Sequence, residues 1–399
     1  MARRYSLVSY LSVLSLGYLS TGLFIPAMGL LLDSKGYSLF YLGVAMFCYS
    51  GTVLVFEVPS GLFCDARGRR NSYVAGLVFL LIGTICLFSQ SLVVVLIGFS
   101  LSGLGRAFGS GSLDALFIEH HLSSNRKLEN VMVALDISSS LSLALGSFLG
   151  GFLLAKGKVG VHLCDLLLRV RLVLIFLDIC LVLLLIENDD SPKQERIKLL
   201  QQASLLLSQI KENRFLAYFV LYTGIQGMLL ASIESYWQPF LKGLLTDQSQ
   251  IWILGLIGGT VFLVSIAGSL MGKVLLKRIR ASFLFLLFLL LAFVGELFLT
   301  LAHSPLSFCI LYAGIYLFLG IVSVVGGVLL NKTLDSSVRS SALSLNSLFL
   351  QIGGLLATLI ALPILKTGSI VLYWILISSF GFLFSILMGK PFSKTVSQS

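Results

Sequence analysis

Apolar runs long enough to cross a bilayer follow one another from end to end of this 399-residue chain. A spanning helix needs roughly 20 mostly apolar residues. Such runs lie near 7–31, 38–60, 71–90, 92–119, 130–155, 163–187, 214–241, 251–276, 282–302, 305–330, 341–365 and 369–389. Each is continuous, whereas barrel strands would alternate with a period of two. Only helices satisfy their own backbone amides inside lipid without closing a barrel. The chain is 57% hydrophobic and 12% charged, against about 25% charged in a soluble domain. Its surface must be solvated by the lipid bilayer. The expected fold is therefore an all-α membrane protein with twelve transmembrane helices. Arg3 and Arg4 precede the first run, but that run is too long for a signal peptide and reads as the first helix.

Basic residues set the expected orientation. With the N-terminus inside, twenty of the 28 Lys and Arg residues fall on cytoplasmic segments. Five fall opposite (Lys35, Lys156, Lys158, Lys242 and Lys366), and Arg106, Arg169 and Arg171 lie within spans. Positive charge collects inside, so both termini are expected in the cytoplasm and the chain in the plasma membrane. The same distribution explains the net charge of +10 without any nucleic acid. The six cysteines are scattered with no C-x-x-C spacing, which suggests neither a disulfide framework nor a metal site.

The only long polar stretch is Glu187 to Arg214. Ile197, Leu199, Leu200, Ala203, Leu206, Leu207 and Ile210 recur within it near helical spacing, as in an amphipathic helix at a membrane surface. It divides the chain into an N-terminal six-helix bundle (1–187), a cytoplasmic linker (188–213) and a C-terminal six-helix bundle (214–399). Each half has a basic loop after its second span, at 61–70 and 268–280, and a span ending in a lysine-glycine turn, at 153–157 and 364–368. A parallel internal repeat is expected.

The string Glu57-Val58-Pro59-Ser60-Gly61-Leu62-Phe63-Cys64-Asp65-Ala66-Arg67-Gly68-Arg69-Arg70 is expected to form the tight turn between spans two and three. Its glycines permit close packing and unusual backbone angles, and Asp65 can cap a helix or pair with arginine. This string resembles the signature of the major facilitator superfamily, G-x-L-A-D-R-x-G-R-[RK]. Gly61, Asp65, Gly68, Arg69 and Arg70 match by position, with Ala66 at the first arginine and Arg67 one place later. Gly103 to Gly111 around Arg106, followed by Asp114, is similar to the family's fourth helix. Gly146-Ser147-Phe148-Leu149-Gly150-Gly151 on the fifth span resembles the glycine motif of the drug:proton antiporter branch, without its proline. The resemblance implies two six-helix bundles and a cytoplasmic latch whose Asp65 contacts the start of helix eleven, near Arg339.

An ionised residue at the bilayer centre costs roughly 2.5–3.5 kcal/mol. The spans carry Arg106, Asp114, Asp136, Arg169, Asp178, Glu234 and Glu296, so most must face protein or a watery cavity. Arg106 falls near the midplane, with Asp178 the acid closest in depth. It either orients substrate and tunes a carboxylate or forms a buried structural pair. Asp114 and Asp136 are expected as proton carriers, or as a gate network with Arg69 or Arg126. On the seventh span Tyr222, Gln226, Glu234 and Trp237 recur near one stripe. An acid beside aromatics suits a lipophilic cation; alternatively Tyr236 and Trp237 are interfacial anchors.

These features point to a secondary active transporter working by alternating access. The expected activity is proton-coupled export of a small hydrophobic or cationic compound, by a monomer with the proton gradient and no cofactor. Proton-coupled uptake of a sugar or other nutrient, with Gln226, Asn346 and Gln351 as polar contacts, is the alternative within that class. A non-transporting receptor or scaffold is the alternative outside it. A nucleotide-driven pump is disfavoured because Gly268 to Lys273 lacks P-loop spacing. An enzyme is disfavoured because no nucleophile or metal cluster accompanies the four histidines.

Overall fold

The computed structural model describes residues 7–110, 112–114, 116–117, 128–157, 162–187, 213–333 and 336–398. Among them are twelve long helices: α1 (Leu7–Met28), α2 (Leu39–Arg67), α3 (Arg69–Cys86), α4 (Leu92–Gly109), α5 (Leu128–Lys156), α6 (Asp165–Leu185), α7 (Arg214–Leu244), α8 (Trp252–Leu275), α9 (Ala281–Leu299), α10 (Pro305–Thr333), α11 (Ser336–Leu365) and α12 (Ile370–Gln398). Ten contain segments long and apolar enough to cross a membrane. The other two are α3 and α6. α3 opens on Arg69, Arg70 and Asn71, and α6 carries Asp165, Arg169, Arg171 and Asp178.

Contacts divide the chain into two compact units. One holds Met1–Tyr37, Val44–Arg196 and Asp247–Gly259; the other holds Ser38–Gly43, Ile197–Thr246 and Thr260–Ser399. The division differs from the expected halves at the two short segments Ser38–Gly43 and Asp247–Gly259. The expected linker lies outside the described residues except for Asn213, whose Oδ1 accepts from Leu216 N at 3.1 Å and so caps α7.

The helix pairing repeats with an offset of six. In the first half α1 packs on α5 and α6, and α3 packs on α4 and α6. In the second, α7 packs on α11 and α12, and α9 packs on α10 and α12. The same device closes both leading pairs. A Cβ on Gly146 of α5 would collide with Leu19 O of α1, and one on Gly353 of α11 with Gly224 O of α7. Without side chains there the backbones approach closely, as small residues allow in membrane bundles. The glycine run on the fifth span thus has a packing role.

The α2–α3 turn is tighter than the sequence suggests. Helix α2 continues through Phe63, Cys64 and Asp65 to Arg67, and Gly68 alone joins it to α3, at φ 88° and ψ 155°. That region of backbone space belongs essentially to glycine. At the opposite end of the helices, Lys35 Nζ donates to Ser89 O at 2.9 Å and Tyr37 Oη donates to Gln90 O at 2.7 Å. These bonds fasten the α1–α2 connection to the α3–α4 connection. Burial holds the Lys35 amine below its ordinary pKa.

Candidate functional site

The first unit contains a cavity of about 360 Å³ among α1, α2, α3, α4 and α6. Aromatic and aliphatic side chains form much of its wall. Tyr18 and Phe24 come from α1, Tyr49 from α2, Tyr73 from α3, Arg106 from α4 and Arg171 from α6, with Asp114 beyond the end of α4. Helix α4 ends at Gly109, where Ser110 turns to φ −59° and ψ 123°. The expected continuous fourth span to residue 119 is therefore interrupted, and Asp114 is carried past the turn.

Two carboxylates are each held by a tyrosine. Tyr18 Oη donates to Asp114 Oδ2 at 3.4 Å, and Tyr73 Oη donates to Asp178 Oδ2 at 3.0 Å. Asp178 is 0% exposed, and the second oxygen of each carboxylate is buried without a partner. Around them Tyr10, Leu14, Leu77, Ile175 and Val182 form an apolar cluster. Depth had matched Asp178 with Arg106, yet its bond goes to Tyr73. Among the described residues, Asp114 bonds to Tyr18 in place of the expected arginine. Asp136, exposed on α5, lies within electrostatic reach of Asp114; Arg126 lies outside the described residues. Arg106 is exposed within the cavity wall.

Arg171 was counted within a span but was neither among the embedded charges weighed nor among the expected site residues. It is 4% exposed, with its guanidinium carbon 4.1 Å from the centroid of Phe24. Its Nε and Nη1 have no hydrogen-bond partner. The sequence held one signal: Arg171 and Asp178 are seven residues apart, two turns along one face of α6.

Among the described residues of the second unit are two more acids. Glu296 of α9 is 0% exposed; Ser232 Oγ lies against its Oε1, and its Oε2 has no partner. Trp374 Nε1 donates to Ser232 O at 3.0 Å. Glu234, two residues on from Ser232, is exposed and accepts from Tyr316 Oη at 3.3 Å.

The expected stripe on α7 does not form one surface. Tyr222 is fully buried against Phe285, Phe384 and Phe392 and donates to Ser385 O at 3.3 Å. Glu234 lies twelve residues further, a rotation of about 120° at 3.6 residues per turn. Trp237 is 2% exposed and stacks on Tyr312 at 5.3 Å, so its ring is already engaged. Tyr236 and Trp237 are both buried, which removes the interfacial-anchor alternative. Gln226 is half-buried between these environments.

Of the expected gate residues, Gly61 and Asp65 are exposed on the last turns of α2, and nothing lies within 4 Å of a Cβ placed on Gly61. The close packing expected of Gly61 is absent, because the position is helical and faces outward. Arg70 Nη2 donates to Leu183 O of α6 at 3.0 Å, and Arg69 follows Gly68 at the start of α3. The side chain of Arg339 lies outside the described residues. Among those described, no group of three or more His, Cys, Asp or Glu is placed to hold a metal ion, and the six cysteines are free.

Residues 10–358 match the family model described as Major Facilitator Superfamily. The chain belongs to that superfamily. A relative from Bacillus subtilis (strain 168), described as an uncharacterized MFS-type transporter, YxaM, is 24% identical over 256 residues. That match covers 62% of this chain and 61% of the relative. Among solved structures, a mutant form of the nucleoside transporter NupG aligns with a TM-score of 0.79 at 11% identity, covering 97% of this chain and 99% of the other. A POT family transporter in complex with 5-aminolevulinic acid aligns at 0.76 and 13% identity, covering 96% of each chain. A bacterial homolog of the human lysosomal transporter Spinster aligns at 0.74 and 12%, covering 97% of each. At such identities the likeness is one of fold: this facilitator chain is a multi-pass membrane protein of two six-helix bundles.

Proposed function

We propose that the chain is a secondary active transporter working by alternating access, and that it exports a small, largely apolar solute in exchange for protons. The observation that carries this reading is the cavity of the first unit, where Asp114 and the neighbouring Asp178 each keep one oxygen free of protein partners. A carboxylate with one tyrosine donor and one unpartnered oxygen can take up and release a proton when water reaches it. Protonation and solute binding at one cavity are then linked, as coupled transport requires. Glu234, exposed and bonded to Tyr316, is a second candidate carrier. The cationic-solute reading keeps Glu234 but loses the Trp237 ring. The antiporter assignment extends the glycine motif on α5. The loop charges support both termini in the cytoplasm, and a monomer in the plasma membrane is the form proposed.

Uptake of a polar nutrient is the second reading. Gln351 Oε1 is buried without a partner, and Thr223 Oγ1 lies 2.6 Å from Asn346 Oδ1, so the second unit offers amides that could meet hydroxyl groups. Two of the fold neighbours are a nucleoside transporter and a POT family transporter.

A susceptibility screen in a strain lacking its own exporters, with and without this chain, identifies candidate solutes. Everted vesicles should then accumulate such a solute and lose it when a protonophore collapses the gradient. Accumulation unchanged by the protonophore contradicts proton coupling, and accumulation in right-side-out vesicles favours uptake.

A further inference from the structure

Arg171 is a buried cation that the proton-exchange reading does not use. Guanidinium stays protonated in proteins, and an ion taken out of water is costly unless a partner compensates it. Phe24 compensates one face of the group through a cation–π contact at 4.1 Å. A ring on the face does not satisfy the in-plane N–H groups, and Nε and Nη1 are without partners. The nearby carboxylates are engaged elsewhere: Asp178 with Tyr73, and Asp114 with Tyr18. Among the described residues no carboxylate forms an ion pair with Arg171.

Arg171 and Arg106 line the same cavity; Asp114 is the acid among its described lining residues, and Asp178 stands behind Tyr73. Arg171, buried with two nitrogens that lack a hydrogen-bond partner, favours an anion. Apolar and aromatic walls, with Asp114 opposing a second negative charge, favour a single charge on an apolar body. The volume of about 360 Å³ lies at the small end of ligand cavities.

We propose that this cavity takes the carboxylate of a small, otherwise apolar acid, and that Arg171 receives it with Arg106 contributing to the field. The proposal rests on the transport reading and names its substrate class. It replaces the cation expected from the sequence, because each of the two cavity carboxylates has a tyrosine donor whereas Arg171 Nε and Nη1 have no acceptor.

Binding to the purified full chain in detergent tests this without any gradient. The probes are phenylacetate, phenylacetamide and phenethylammonium, matched in size and measured by calorimetry at fixed ionic strength. Phenylacetate should bind at least about tenfold more tightly than the amide and the amine, as expected for one charge-assisted hydrogen bond. Arg171→Gln should bring phenylacetate and amide within about threefold of each other, with Arg171→Lys in between. If Arg171→Gln does not fold, the wild-type preference and its reduction in Arg171→Lys decide the matter. No carboxylate preference in the wild type, or a preference unchanged by the substitutions, overturns the proposal. Gradient-driven export of a neutral solute alongside absent carboxylate binding would sink this inference alone. Carboxylate binding without gradient-driven flux would sink the transport reading alone.

Discussion

Tyr73 donates its phenolic proton to Asp178 across 3.0 Å in the interior of the first unit, and that carboxylate is completely shielded from solvent. The bond joins α3 to α6 beside the cavity. It therefore carries both stability and the proposed proton chemistry.

Tyr73→Phe removes the donor and little else. It leaves both Asp178 oxygens without a protein partner, which should cost about 1–3 kcal/mol. Asp178→Asn keeps an acceptor for Tyr73 and should cost less, while abolishing proton-coupled flux. Thermal melting in detergent and flux in vesicles separate the two effects. Equal melting of Tyr73→Phe and wild type would show that the bond contributes nothing to stability.

Gly61 and Gly68 belong to one sequence motif yet should respond oppositely. Gly68→Ala forces a side chain into a glycine-only backbone region, at a cost of about 1–3 kcal/mol. Gly61→Ala, on an exposed helical turn with open space around it, should stabilise by roughly 0.5–1 kcal/mol. Melting curves of the two variants check the sign of each.

In the second unit, Ser232 contacts the buried Glu296. Ser232→Ala should destabilise by about 1–3 kcal/mol. In a double-mutant cycle with Glu296→Gln, the pair should couple by more than about 0.5 kcal/mol. Additive effects would mean that the contact carries no energy of its own.

The twelve helices were legible because hydropathy depends only on which residues are adjacent. The repeat was legible too, through the basic loops and lysine-glycine turns. Contacts across the bundle were not. Tyr18 and Tyr73 look like ordinary aromatics within apolar runs, and only the packing of α1 and α3 makes them donors to Asp114 and Asp178. Arg171 was counted within a span but not weighed as an embedded charge, and nothing in sequence says that α6 turns it toward Phe24. The α7 stripe misled because Tyr222 and Glu234 are twelve residues apart, enough for rotation to carry them to different faces. The Gly61–Arg70 segment identified the family, but its helical course to Arg67 reflects α2 continuing past the point where hydropathy falls.

The central claim is that the first unit's cavity is reached from the two sides of the membrane in turn. Thr21, exposed on α1 and lining that cavity, is a suitable reporter. In a variant with the six native cysteines replaced, Thr21→Cys can be treated with a membrane-impermeant thiol reagent, from each side of sealed vesicles. Alternating access predicts labelling from both sides, at rates that shift in opposite directions when the proton gradient is reversed. Labelling from one side only, under either gradient, would contradict it.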